Sequence, residues 1–140
     1  MSSKKMVFFV SEKNSCRSII AQAYLLKHGF EYFDSQSFGL NPDRIHYLVL
    51  EVMQERNFNM NFYFSKGYDM VKHQKADFLI VMHPALNDRL PHFPVNCKRL
   101  EWNYDDPTAK ELSESDIKEE IKNLADAIEK SVQKFIQDYK

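Results

Sequence analysis

The feature that most constrains this chain is a five-residue apolar run, Met6 to Val10 (MVFFV), that breaks off into the polar stretch SEKNSCRS, Ser11 to Ser18, and then resumes as a helical pattern. A short uninterrupted run of this kind suits a strand buried on both faces, the environment of a parallel sheet. Ile19, Ile20, Ala23 and Leu26 then fall on one stripe, and Gly29 stands where a helix stop is expected. Strand, loop and helix in that order place the loop beyond the carboxyl end of a strand, where open parallel sheets bind their ligands.

The remainder of the chain repeats the alternation. Glu31 to Phe38, with Tyr32, Phe33 and Phe38, predicts a second strand. Asn41 and Pro42 read as an N-cap and a first helical position, and Ile45, Leu48, Val49, Val52 and Met53 follow at the period of a helix that buries one face. Asn57 to Tyr68 is aromatic and irregular, a loop leading to a short helix, and Asp77 to Met82 (DFLIVM) predicts another buried strand. His83 to Val95 carries Pro84, Pro91 and Pro94 and reads as a surface loop, with Cys97 to Trp102 as a short last strand. From about Ser113, the series Ile117, Ile121, Leu124, Ala125, Ile128, Val132, Phe135 and Ile136 predicts a long amphipathic C-terminal helix. The expected fold class is α/β: a three-layer sandwich with a four-stranded parallel sheet flanked by helices. With 140 residues and no linker or repeat, 1–140 is expected to form a single domain.

Bulk composition narrows the partners only by exclusion. A formal net charge of -1 with mixed signs offers no field for nucleic acid or an anionic membrane surface. No stretch approaches the roughly 18 apolar residues of a membrane span, and Met1, Ser2, Ser3, Lys4 and Lys5 lead into too few apolar residues for a signal peptide. The expectation is a soluble cytoplasmic protein, a monomer or weak dimer. Cys16 and Cys97 read as free thiols. His28, His46, His73, His83 and His92 share no metal-ligand spacing, so no metal site and no cofactor is expected, and they read as surface or loop residues.

The polar stretch after the first strand is the candidate site. At a helix start several backbone N–H groups lack intrahelical partners and the helix dipole favours an anion. Arg17 adds a planar fork that matches a tetrahedral oxyanion. On the residues alone, this is either an anion cradle or an ordinary strand-to-helix turn with a solvated arginine.

VFFVSEKNSCRSIIAQAYLLKHG resembles the signature of the low-molecular-weight protein tyrosine phosphatases and thioredoxin-coupled arsenate reductases, in which a V-L-F-V type strand enters C-x-G-N-x-C-R-S and a helix. Asn14, Cys16, Arg17 and Ser18 match, and Ser15 occurs at its position in the arsenate reductases. The segment from Ser35 to Val71 is similar to that family's S-A-G stretch, N-P helix and later S-K pair, here Ser65 and Lys66, and WNYDDPTA resembles its W-x-x-x-D-P. The resemblance implies a nucleophile position at Ser11, an oxyanion-holding arginine at Arg17 and a general acid at Asp106. It further implies that Lys13, Asn14, Ser15, Cys16, Arg17 and Ser18 line the oxyanion site, with Asn14 holding the loop's shape and Ser18 hydrogen-bonded to the nucleophile.

Two departures set the functional expectation. The family's attacking cysteine is Ser11 here, and a hydroxyl ionises at far higher pH than a thiol whose pKa a helix N-terminus and cations can depress. Nucleophilic serines need an adjacent base, and the neighbouring Glu12 should point outward. The family's glycine is Lys13, whose ammonium is free to fold towards the site, while Glu12 would oppose an anion. Because positions 12 and 13 change together with position 11, the pattern reads as degeneration. The arsenate reductases' two relay cysteines are also missing from MHPALNDRLPHFPVNC.

The expectation is a catalytically impaired protein acting as an oxyanion-binding or regulatory interaction module, its ligand phosphate, sulfate or an arsenate-like anion, with a protein partner also compatible. The alternative is an active tyrosine phosphatase or arsenate reductase working through Cys16. Asp105 and Asp106 also read as a carboxylate pair at a helix start. Phe58, Phe62, Tyr63, Phe64 and Tyr68 form either a partner-binding rim or a cover for the core.

Overall fold

The computed structural model of the chain describes residues 4–140. Met1, Ser2 and Ser3, which entered the leader argument and the 1–140 domain span, lie outside the described residues. The first apolar run becomes strand β1 (Lys5–Ser11), with β2 (Phe33–Gly39) on one side, β3 (Phe78–Val81) on the other and β4 (Lys98–Glu101) beyond β3. All the pairings are parallel. An inner strand of such a sheet has no solvent face, which is why MVFFV does not alternate with polar residues. Val7, Phe8, Phe9 and Val10 are fully buried.

Alternate side chains of β1 serve two separate cores. Val7 and Phe9 point to a face covered by α1 (Arg17–Gly29), α2 (Tyr47–Glu55) and α3 (Glu114–Tyr139). There α3 buries Ile121, Leu124, Ala125, Ile128, Val132, Phe135 and Ile136, and Ser113 caps it by accepting a hydrogen bond from the Asp116 N–H at 3.2 Å. Phe8 and Val10 point to the other face, where Val71, Leu86, Leu90 and Phe93 close over Phe38, Leu79 and Val81. That third layer is built from loops and short 3-10 turns, at Tyr68–Met70 and Pro84–Arg89. The sheet is thus flanked on both sides, as expected, although the long helices lie on one. No helix among the described residues is long and apolar enough to cross a membrane.

Several local expectations are corrected. Asn41 and Pro42 do not start α2, whose N-cap is His46, with Nδ1 accepting from the Leu48 N–H at 3.1 Å. Residues 40–46 form no helix, and the N–H groups of Leu40, Asn41, Asp43 and His46 are used on the carbonyls of Ser11, Glu12, Lys13 and Ser15. Leu26 is 51% exposed and Leu25 buried in its place. Helix α1 is wedged between the sheet and α3, which turns its Gln22–Leu26 edge outward.

Gly29 does not adopt a left-handed stop, since no glycine has a positive φ and the following Phe30 is right-handed helical. A Cβ at Gly29 would lie 3.0 Å from Ile136 Cδ1, so its role is to let α1 approach α3 closely. The loop expected from His83 to Val95 contains the six-residue 3-10 turn Pro84–Arg89, started by His83 Nδ1 accepting from the Ala85 N–H. The histidines are not all idle surface groups. His46 caps α2, His83 caps a 3-10 turn, and His28, half-buried in α1, pairs with Glu129 at 2.7 Å and stacks on Tyr24.

Candidate functional site

The loop from Ser11 to Ser18 is held from outside by its carbonyls. The N–H groups of Leu40, Asn41, Asp43 and His46 donate to the carbonyls of Ser11 (3.2 Å), Glu12 (2.8 Å), Lys13 (3.1 Å) and Ser15 (3.1 Å). The Ser65 hydroxyl adds a second donor to Lys13 O at 2.8 Å. With the carbonyls so engaged, the N–H groups of Glu12, Lys13, Asn14, Ser15 and Cys16 find no acceptor in the main chain among the described residues. A run of unpaired amides ahead of a helix is a nest for an anion.

Asn14 makes the bend. Its φ is 51°, in the left-handed region that asparagine tolerates better than most residues. Its Nδ2 donates to Ser18 Oγ at 2.8 Å and its Oδ1 accepts from the Lys66 N–H at 3.0 Å. Lys13, where the relatives' glycine was expected to matter, has no positive φ and is exposed. The glycine that the geometry requires is Gly39, paired in register with Ser11. A Cβ there would stand 2.7 Å from Asn14 N and from Lys13 C, closer than any side chain permits.

Ser11 is 2% exposed and its Oγ lies 2.6 Å from Ser18 Oγ. No imidazole or carboxylate among the described residues hydrogen-bonds this hydroxyl, so nothing draws its proton away. Arg17, 6% exposed, donates from Nη1 to the carbonyl of Tyr104 at 2.9 Å. The Tyr104 ring in turn is bound through its hydroxyl to α3, at Ala127 O and Ser131 Oγ. Cys16 sits in the main core at 2% exposure, where burial first and the nearby Asp106 second push its thiol well above the ordinary range, against the pull of Arg17. That is the reverse of what a thiolate nucleophile needs.

The expected carboxylate pair separates. Asp106 is half-buried near the loop and caps the 3-10 turn Pro107–Ala109, its Oδ1 accepting from the Thr108 N–H at 2.9 Å and Thr108 Oγ1 at 2.7 Å. Asp105 is exposed and pairs with His83 at 3.3 Å. Helix α3 is capped by Ser113 instead. The aromatic cluster divides too. Phe58 and Tyr63 pack on the helical core and Tyr68 on the other, while Phe62 and Phe64 are exposed at 81% and 53%.

Glu12 points outward, as expected, but into a specific ion pair. Its Oε1 and Oε2 lie 2.5 and 2.8 Å from the Arg89 guanidinium, and Asn41 Nδ2 donates to Oε2 at 2.8 Å. Arg89, joined by Asn41 and the field of Arg17, holds the Glu12 carboxyl down at about 2. Arg89 carried no local signal in the sequence, since it lies far along the chain on the turn after β3.

Residues 6–140 match the family described as low molecular weight phosphotyrosine protein phosphatase. The chain belongs to this family. Among relatives of this phosphatase family, the arsenate reductase of Halalkalibacterium halodurans is 26% identical over 134 residues, covering 96% of each chain. That of Staphylococcus aureus is 27% identical over 137 residues, covering 94% of this chain and 96% of its own. Of solved structures, the thioredoxin-dependent arsenate reductase of Corynebacterium glutamicum is 30% identical with a TM-score of 0.66. The match covers 94% of this chain and 63% of that longer one. A Vibrio vulnificus Wzb in complex with benzylphosphonate, 16% identical with a TM-score of 0.76 over 97% of this chain and 99% of that one, shares the fold.

Proposed function

We propose that this phosphatase-family chain is catalytically impaired and uses the Ser11–Ser18 loop to bind a tetrahedral oxyanion, phosphate-, sulfate- or arsenate-like, without transferring it. The reading rests on one observation: the atom at the nucleophile position is the Ser11 hydroxyl, whose hydrogen-bond partner is another hydroxyl, Ser18 Oγ. A thiol in this nest would ionise, because amide dipoles and a hydroxyl donor favour the charged form. An alcohol so placed has no base and stays neutral. The rest of the machinery, unpaired amides and a buried, tethered arginine, favours a bound anion. The loss of the thiolate removes a negative charge that would otherwise repel it.

Two features support binding over redox turnover. The free cysteines are Cys16, buried, and Cys97, half-buried on another segment, so no relay of thiols leads outward from the loop. The route through Cys16 is disfavoured by the same burial that raises its pKa. A module that captures an anionic group without releasing it suits a regulatory role towards a protein carrying that group.

Hydrolysis of an aryl phosphate tests the impairment, beside phosphate titration followed by amide shifts in the loop. The expected outcome is saturable phosphate binding by the native chain, negligible turnover, and a gain of activity on Ser11→Cys. Turnover by the native chain at a rate ordinary for this family, lost on Ser11→Ala, would sink the proposal. Turnover that survives Ser11→Ala but dies on Cys16→Ala would establish the other route.

A further inference from the structure

An acidic residue beside the anion nest ought to weaken it, and Glu12 is the residue immediately after Ser11. At close range in a partly screened site, two negative charges repel each other. The charged and polar groups that face the Glu12 carboxylate are Arg89 from the turn after β3, Asn41 from the stretch after β2, and Arg17 from α1 at longer range. Arg89 makes a two-pronged pair, the geometry in which a guanidinium best neutralises a carboxylate. Asn41 holds the backbone of the same residue as well, since its own N–H donates to the Glu12 carbonyl. The carboxylate is therefore both cancelled and held in place by residues outside the loop.

We propose that Arg89 is a positioning residue for the oxyanion site: by clamping Glu12 it sets the charge of the loop mouth and so the affinity for doubly charged tetrahedral anions. The inference rests on the anion-binding reading above. It gives the turn after β3 a direct hold on the site. Displacing that turn, by a partner or by substitution, uncovers a negative charge beside the nest and expels the anion.

The test is a sulfate titration of the full chain, read by loop amide shifts, on the native protein, Arg89→Ala, Glu12→Gln and the double variant. Arg89 and Glu12 are surface residues, so all four are expected to fold, which circular dichroism verifies. Near neutral pH, Arg89→Ala should bind sulfate roughly tenfold more weakly, the equivalent of one pKa unit of interaction. Glu12→Gln should bind at least as tightly as the native chain, and the double variant should match Glu12→Gln.

A second reading is the pH profile. Sulfate keeps its two charges in mild acid, so in Arg89→Ala the affinity should recover as pH falls through the ordinary carboxylate range, about 4.5. The native chain should show no such step there, because its Glu12 stays ionised down to about 2. A purely structural role for Arg89 would give a loss that neither Glu12→Gln nor acid repairs, and that result overturns the proposal, as does unchanged affinity in Arg89→Ala. Absence of sulfate binding in a folded native chain removes the anion-binding reading itself, and the proposal with it.

Discussion

The two faces of the sheet are built by different means. On one, three α-helices bury long side chains such as Ile19, Ile20, Leu25 and Phe135 against Phe9 and Ile80. On the other, Phe8, Phe38 and Leu79 are covered by loops and short turns. The nest hangs from the first construction, as the start of α1, while Arg89 arrives from the second. A helix start cannot move without disturbing its helix. A turn fastened by Leu86, Leu90 and Phe93 can shift with fewer contacts broken. The difference assigns shape to the helical side and adjustment to the turn side.

Core truncation gives the largest expected effect and the most direct challenge to this contrast. Ile20→Ala should cost about 3–4 kcal/mol, and Leu86→Ala about 2, because a turn can settle into the space left behind more readily than a helix can. Denaturant midpoints compare them, and equal or reversed losses would break the distinction.

Gly39 sharpens it at the point where the sheet meets the nest. Gly39→Ala puts a methyl group against backbone at Asn14 and Lys13, and should cost about 2 kcal/mol while displacing the loop amides. Spectral changes confined to residues far from the loop would contradict this.

The smallest effect concerns Lys66, on the stretch that joins the two sides. It is 8% exposed with its ammonium 5.0 Å from the Phe64 ring, and burial draws its pKa down to about 8. A lysine whose folded value lies below its ordinary 10.5 destabilises the folded state while charged. That penalty is full below about pH 8 and fades as pH rises towards 10.5. Because solvent still reaches part of the side chain, Lys66→Met should stabilise by only about 1 kcal/mol at neutral pH. Urea midpoints should show the advantage shrinking in alkaline buffer. A constant advantage would place its origin in packing.

Much of the fold was legible because periodicity and burial obey local rules. The uninterrupted β1 run and the eight-position stripe of α3 could hardly be read otherwise. The start of α2 differs from the sequence reading because Asn41 and Pro42 carry a capping signature, but tertiary structure spends the Asn41 N–H on the Glu12 carbonyl and the helix waits until Tyr47. Gly29 was misread for a similar reason, a close helix approach mistaken for a stop. At the site, Ser11, Asn14, Arg17 and Ser18 could be grouped from their motif, and the hydrogen bonds join Asn14, Ser18 and Ser11. The grip of Arg89 on Glu12 and of Tyr104 on Arg17 could not, since those partners lie 77 and 87 residues away and nothing local announces them.

The acceptor that steadies Arg17 belongs to the peptide backbone, at Tyr104. Every amino acid offers that same oxygen, so replacing residue 104 leaves the guanidinium its anchor wherever the chain keeps its path. The arginine's aim is thereby insulated from sequence drift at its partner. On the proposed reading, a change at position 11 would leave this hold on the cation untouched.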